Sequence, residues 1–342
     1  MAELDVQELL DRATLAADAR WPGAVVTDLE PLHGGVSSLT FAARVANADG
    51  GSQRVVVKVA PPGLAPVRNR DMLRQARVLH ALADVEGVRV PEVLLEDGAL
   101  PPFFVMSYVD GESYEPMLNR LDAPPPPETV DRRARAAAGM LARLQSVEPA
   151  AVGLGDEPVT TLAEEVARWE RLFDTCPDEL RHDERDLYRL LAERAPDPLA
   201  PRILHGDYRL GNMQFAGDEL TAIIDWEIWS IGDPRCDLAW LLTYTDPVQR
   251  FVEEMDEPNL QAQSGMPSRE ALVAEYQAIR PGELEGLDWF LALCYFKIAS
   301  TTAVLAKQNR RRDEPDSGME LAASRLGAVI ERGLAHVEGV RT

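Results

Sequence analysis

The sequence predicts an α+β fold in two parts, a small antiparallel-sheet unit over residues 1–108 and a mostly helical unit over residues 109–342. Three observations carry this. Residues 39–45 and 54–60 are rich in strand formers and flank a turn of Gly, Asn and Asp at 47–52, the pattern of a hairpin. Residues 70–82 place Leu73, Ala76, Leu79 and Leu82 along one face, the spacing of one main helix within the sheet unit. From residue 128 onward helical patterns dominate, broken by a polar, strand-forming segment at 205–227.

In chain order, residues 5–19 form an opening helix marked by Leu4, Leu9, Leu10 and Leu15. Residues 25–32 are extended and lead into His33-Gly34-Gly35-Val36-Ser37-Ser38. Pro61 and Pro62 stop the second hairpin strand. Residues 90–95 and 103–108 are further strands, and 109–112 (V-D-G-E) leads out of the sheet unit. The prolines at 124–127 form a stiff loop that cannot continue a helix. Helices are expected at 128–146, 161–173, 184–195, 236–244, 268–279, 284–309 and 318–336, with the basic, polar run 307–316 turning between the last two.

The 342 residues, 46% hydrophobic, suffice for a sizeable core or two lobes. With 57 acidic against 35 basic residues the formal charge is −22, the opposite of a nucleic-acid binder, so no nucleic-acid partner is expected. An acidic surface does tolerate a cationic substrate. The three cysteines, Cys176, Cys236 and Cys294, are odd in number and lack C-x-x-C spacing, which fits a reducing compartment. The acidic N-terminus lacks a signal-peptide pattern, and the most apolar run, 289–302, is interrupted by Lys297. Neither secretion nor membrane insertion is expected, and the expected compartment is cytoplasmic. No Cys/His cluster marks zinc, and no G-x-S-x-G marks a serine hydrolase.

Chemistry concentrates in L-H-G-D-Y-R-L-G-N-M-Q-F, 204–215, and L-T-A-I-I-D-W-E, 220–227. Asp207 lies on a loop, Asn212 follows five residues later, and Asp225 ends a short apolar strand. A carboxylate such as Asp207 can orient a hydroxyl and receive its proton as phosphoryl transfer proceeds. Asn212 offers Mg²⁺ a neutral oxygen and Asp225 a charged one. The plainer alternative is an Asx-rich turn bonded to its own backbone. His205 reads as a loop-fixing residue. Arg209 joins Asp207 as a candidate catalytic residue, paired with a transferred phosphate or with Asp207 itself. Glu227 is a further candidate for metal or substrate contact. Asp233 and Pro234 open a helix with Asp237 in its first turn, as supports for the pocket. Trp240, Tyr244, Trp289 and Phe290 read as core or cleft wall.

Lys58 stands in V-V-V-K-V, on the face opposite Val57 and Val59. An unpaired buried ammonium is costly, so the lysine needs either an exposed face or a cleft holding anionic oxygens. Gly34 and Gly35, between two strands, let backbone N–H groups approach a phosphate, although neither G-x-x-x-x-G-K nor G-x-G-x-x-G is present. Residues 106–109 end a strand and can offer backbone groups to a nucleotide base.

Together, G-G-V-S-S at 34–38, V-V-V-K-V at 55–59, H-G-D-Y-R-L-G-N at 205–212, I-I-D-W-E at 223–227 and G-D-P-R-C-D-L-A-W-L-L at 232–242 resemble the aminoglycoside phosphotransferase-like superfamily, the small-molecule relatives of protein kinases. The resemblance implies a two-lobed protein-kinase-like fold, with a nucleotide-binding N-lobe and a C-lobe for catalysis and acceptor binding. It implies ATP or GTP and Mg²⁺ as cofactors. Gly35, Ser37 and Ser38 would meet the phosphates, and Lys58 the α- and β-phosphates. Met106 and Tyr108 would belong to the hinge to the base. Asp207 would be the catalytic aspartate, and Asn212 and Asp225 the metal ligands. The wording Y-R-L-G-N and D-W-E is closest to the branch associated with acyl-CoA dehydrogenases, some of whose members phosphorylate hydroxyacyl-CoA compounds.

One position departs from that pattern. Kinase-like enzymes pair the strand lysine with a helix glutamate, and in R-Q-A-R-V-L-H-A-L, 74–82, Gln75 stands there. Its amide can hydrogen-bond the Lys58 ammonium without neutralising it, and Asp71 is an alternative partner. The expected activity is transfer of the γ-phosphate of ATP or GTP to a small-molecule hydroxyl. A hydroxyacyl-CoA or lipid-derived acceptor, with a functional link to acyl-CoA metabolism, comes first. An aminoglycoside or amino sugar comes second, and a non-catalytic nucleotide-binding regulatory protein is the competing class. A basic patch at the acceptor mouth would mark a CoA compound, and a ring of carboxylates a polyamine sugar.

Overall fold

Alternation along the strands divides the sheet unit into two faces. The computed structural model describes residues 4–32, 38–246, 257–282 and 284–339. Strands β1 (Val25–Pro31), β2 (Leu39–Ala46), β3 (Ser52–Val59), β4 (Val93–Asp97) and β5 (Phe103–Ser107) form one antiparallel sheet in the order β1-β2-β3-β5-β4. The expected hairpin is β2–β3, in register from Leu39↔Val59 to Ala46↔Ser52. Val55, Val57 and Val59 join the core beneath α1 (Val6–Arg20), whereas Val56 turns to the other face with Phe104 and Met106. Lys58 shares the Val56 face by the same alternation.

The opening helix meets the sheet through Leu9, Ala13 and Ala17, while Leu15 is 71% exposed. Small residues at that spacing let helix and sheet approach closely, which a count of leucines does not register. Helix α2 (Met72–Ala83) covers the other face with Met72, Ala76 and Leu79. It starts after Asp71, whose carboxylate caps it by accepting the Arg74 N–H.

Helix α3 (Pro127–Ser146) opens on the last residue of the proline run. A first-turn proline is tolerated because that N–H has no intrahelical acceptor, so the run ends inside the helix rather than wholly before it. After α4 (Leu162–Phe173) and α5 (Glu184–Glu193) come β6 (Arg202–Leu204), β7 (Met213–Ala216), β8 (Glu219–Ile223) and β9 (Ser230–Gly232). Antiparallel pairing joins β6 to β9 and β7 to β8. Helices α6 (Arg235–Thr243), α7 (Glu257–Ser264), α8 (Arg269–Ile279), α9 (Leu287–Asn309), α10 (Ser317–Ser324) and α11 (Leu326–Glu338) follow.

Helix α9 is the centre, with α4, α5, α6, α10 and α11 packed around it. Its length and composition would suffice to cross a membrane, but 78% of its most apolar window is buried inside the fold, as befits a bundle's central helix. The single helix expected at 318–336 is two helices, divided at Arg325 (φ −99°, ψ 0°). The break lets Ala322 and Ala323 on one side, and Leu326, Val329 and Ile330 on the other, each reach the core. Apolar spacing reports a face and does not see a one-residue change of direction.

Polar contacts hold the sheet unit against the helices, among them the following. The segment leading out of the sheet pairs with β7: Glu112 N–H donates to Phe215 O at 2.9 Å, and Phe215 N–H to Glu112 O at 3.0 Å. On α2, the Arg74 guanidinium lies 4.0 Å over the Trp229 ring and donates to Trp229 O and Glu157, while Trp229 Nε1 donates to Arg74 O. The core around α9 is expected to dominate stability. Phe296→Ala, at a fully buried α9 position, should cost about 3–5 kcal/mol, read as a lower urea midpoint with an unchanged m-value.

Candidate active site

The turn out of β6 is built around buried polar groups. Asp237, in the first turn of α6, accepts the His205 N–H at 2.6 Å and the Gly206 N–H at 2.9 Å. Gly206 has φ +86°, and a Cβ there would lie 2.6 Å from the Ile228 carbonyl oxygen, so only glycine fits. His205 Nδ1 accepts the Asp207 N–H at 3.2 Å, which puts the imidazole proton on Nε2, bonded to Ile224 O at 2.8 Å. His205 therefore fixes the loop, as its position before Gly206 implied.

The loop presents Asp207 with both oxygens engaged. Oδ1 accepts from Trp240 Nε1 at 2.7 Å, and Oδ2 from Asn212 Nδ2 at 2.7 Å and Arg209 Nε at 3.2 Å. Burial alone would raise this carboxyl. Arg209, Lys297 and the Trp240 N–H outweigh burial and hold it below the usual carboxylate range. Asn212 also donates Nδ2 to Asp207 O at 2.9 Å, which commits its amide nitrogen. Its backbone carbonyl accepts the Ile224 N–H at 2.9 Å, next to Asp225. Asp225 (φ +65°) leaves β8 with its carboxylate turned to Lys58, whose Nζ lies 2.9 Å from Oδ1.

A cleft of about 560 Å³ between sheet and helices is lined by Ser38, Lys58, Met106, Tyr108, Arg209, Asn212 and Asp225, among others. The fold thus gathers these seven sequence-identified residues, and Asp207 joins them through Asn212 and Arg209. Gly35 and Ser37, with the glycine loop, lie outside the described residues. Gln75 is the exception. Its Nε2 donates to Asn69 O at 2.9 Å rather than engaging Lys58. Asp71 caps α2, so the lysine's carboxylate partner is Asp225 and neither expected side chain. The backbone turn before α2 places a carbonyl beside Gln75, and a motif comparison cannot see that carbonyl.

Three side chains in the site were not singled out from sequence as functional. Trp240, read as wall, donates to Asp207. Lys297, read only as a break in an apolar run, donates to Gly206 O and lies 3.7 Å over the Trp240 ring. That charge inside an apolar helix was the available signal. Glu115 gave none: it accepts the Gly211 N–H at 3.1 Å and lies 3.9 Å from Arg209. It is 1% exposed, and its Oε1 has no partner among the described residues. Burial pushes its carboxyl up to about 7, aided by Asp207 and opposed by Arg209 and two backbone N–H groups.

The profile of the family described as "Phosphotransferase enzyme family" matches residues 28–276. The chain is 29% identical over 266 residues to acyl-CoA dehydrogenase family member 11 of Homo sapiens, covering 73% of this chain and 33% of that protein. Across its acyl-CoA dehydrogenase relatives the chain spans 25% to 40% of their length. Among solved structures, a proposed aminoglycoside phosphotransferase from Ralstonia eutropha superposes with TM-score 0.75 at 20% identity, covering 99% of this chain and 100% of that one. A thermostable aminoglycoside phosphotransferase mutant in a ternary complex with ADP and hygromycin B superposes with TM-score 0.61 at 14% identity, covering 96% and 99%. These likenesses show the two-lobed kinase-like fold.

Glu115 gives the site a pH signature. Its carboxyl is raised from 4.5 to about 7 in the folded chain. Between those values the unfolded chain has already lost the proton that the folded chain keeps, so this group's contribution to stability falls as pH rises. Glu115→Gln removes the effect. The stability of that variant relative to wild type should climb by on the order of 3 kcal/mol from pH 4.5 to 8, measured by urea unfolding.

Proposed function

This chain belongs to the phosphotransferase enzyme family, and from that premise we propose that it moves the γ-phosphate of ATP or GTP to a hydroxyl of a small molecule, using Mg²⁺. The observation that carries the reading is one bonded set. Asp207 is bonded to Asn212, Asn212 through its carbonyl to the residue before Asp225, and Asp225 to Lys58.

The residues present fit both groups. With Nδ2 committed, Asn212 keeps Oδ1 for a cation, and the Asp225 side chain is 40% exposed. Mg²⁺ ordinarily takes one or two protein oxygens and completes its shell with phosphate and water oxygens. For the nucleotide, the buried Ser38 Oγ has no partner among the described residues, and Lys58 lines the same cleft. When bound, Mg²⁺ neutralises charge on the β- and γ-phosphates.

The roles then follow from the bonds. Asp207, held ionised by Arg209 and the Trp240 N–H, orients the acceptor hydroxyl and takes its proton as the phosphoryl group arrives. Arg209 stands beside it for the transferring phosphate. Lys58 would hold the α- and β-phosphates, and Asp225 would be a ligand of the metal. Met106 and Tyr108 line the base end, and Gly35 and Ser37 are assigned to the phosphates. Nucleotide contacts come mainly from residues 1–108, and acceptor contacts from residues 109–342.

Arg209 and Lys297 flank Asp207, and cations there favour an anionic acceptor. A hydroxyacyl-CoA or lipid-derived hydroxyl suits that charge, in keeping with the name of the human relative. An amino sugar is the second reading, favoured by the net charge of −22 and by the hygromycin B of the related complex.

A screen of hydroxyl acceptors with ATP and GTP tests the activity. Asp207→Asn should lower turnover by about 10²–10⁴-fold while calorimetry finds nucleotide affinity kept. Nucleotide binding by wild type and variant alike, with no turnover of any acceptor, would point to a binding protein instead. Trp240→Phe keeps the ring and removes the N–H. It should lower kcat about 10-fold with an unchanged KM for nucleotide, the loss of one hydrogen bond to a charged oxygen.

A further inference from the structure

Lys58 is buried between valines, and the one carboxylate within ion-pair reach of it among the described residues is Asp225. The proposed metal ligand is thus already engaged by the proposed phosphate clamp. Behind the pair lies a void of about 10 Å³, room for no more than one water, lined by Lys58, Asp225, Trp226 and Gln75. Gln75, 1% exposed, borders that void but brings no charge to it, and its amide is held by Asn69 O.

We propose that the Lys58–Asp225 ion pair makes metal and nucleotide binding mutually dependent, and that Gln75 preserves this dependence by denying Lys58 a second counter-ion. The inference rests on the reading of the cleft as a magnesium–nucleotide site. With Asp225 given to a metal alone, the Lys58 ammonium is left buried and unpaired, which is strongly unfavourable. With Lys58 given to a polyphosphate alone, the Asp225 carboxylate faces like charge with no cation between them. Bound together, metal and phosphate leave every charge with a partner. A glutamate at position 75 would be repelled by the Asn69 carbonyl, would turn to Lys58, and would stay with it in every state. The linkage would then relax.

The test measures binding rather than turnover. Mn²⁺ binding to the nucleotide-free chain is followed by water-proton relaxation, and ADP binding by calorimetry in Mg²⁺ and in EDTA. Wild type should bind ADP at least about 10-fold more tightly with Mg²⁺ than with EDTA. Gln75→Glu should bind Mn²⁺ without nucleotide several-fold more tightly than wild type, and its ratio of ADP affinities with and without Mg²⁺ should shrink correspondingly. Lys58→Met removes the competing ammonium by an independent route. It should also bind Mn²⁺ about 10-fold more tightly, although it loses the phosphate clamp. Circular dichroism identifies any variant that fails to fold, and the other then decides. ADP binding with Mn²⁺ affinity unchanged or weakened in the variants overturns the coupling alone. No ADP binding by wild type in either condition overturns the reading of the cleft, and the coupling with it.

Discussion

Asp237 lies under the whole site. Its carboxylate is buried and accepts two consecutive backbone N–H groups, those of His205 and Gly206. Desolvation raises its carboxyl, and those two donors together with Lys297 oppose the rise. Two N–H groups at the end of a strand would otherwise be buried without acceptors, which a fold tolerates badly. Because the carboxylate sits in the first turn of α6, it ties the β6 turn to the helix that also carries Trp240. The orientation of Asp207 is therefore set from below by Asp237 and from the side by Trp240, both on one rigid element.

The charges around Asp207 form a preorganised set rather than a chance cluster. Arg209 bridges Asp207 and Glu115, Asn212 bridges Asp207 and the backbone before Asp225, and Lys297 supports both Gly206 and the Trp240 ring. Donors fixed in place before a reaction need no reorganisation during it, which is where most electrostatic catalysis comes from. Glu115 is the least settled member, since its second oxygen has no partner among the described residues and burial pushes its carboxyl up to about 7.

The same logic links the two parts of the molecule. Lys58 on the sheet meets Asp225 on the helical side, and Arg74 on α2 grips Trp229 four residues beyond it. The cleft wall is thus closed by polar contacts at its inner end, while the outer cleft stays open to a ligand. A charged pair across such a seam is sensitive to whatever enters it.

Much of this was legible in the residues. The hairpin, the helix at 70–82 and the helical second part follow from periodicities of two and about 3.6, which are local properties. Asp207, Asn212, Asp225 and Lys58 were identifiable because loop, strand and face are each decided within a few residues. What the sequence could not decide is which distant groups meet. Lys58 finds Asp225 across 167 positions, Gly211 finds Glu115 across 96 and Gly206 finds Lys297 across 91. Those partnerships are settled only when the chain closes into a core. There each buried charge must take the nearest available counter-charge or donor, so Lys58 turns to Asp225 while Gln75 answers to Asn69.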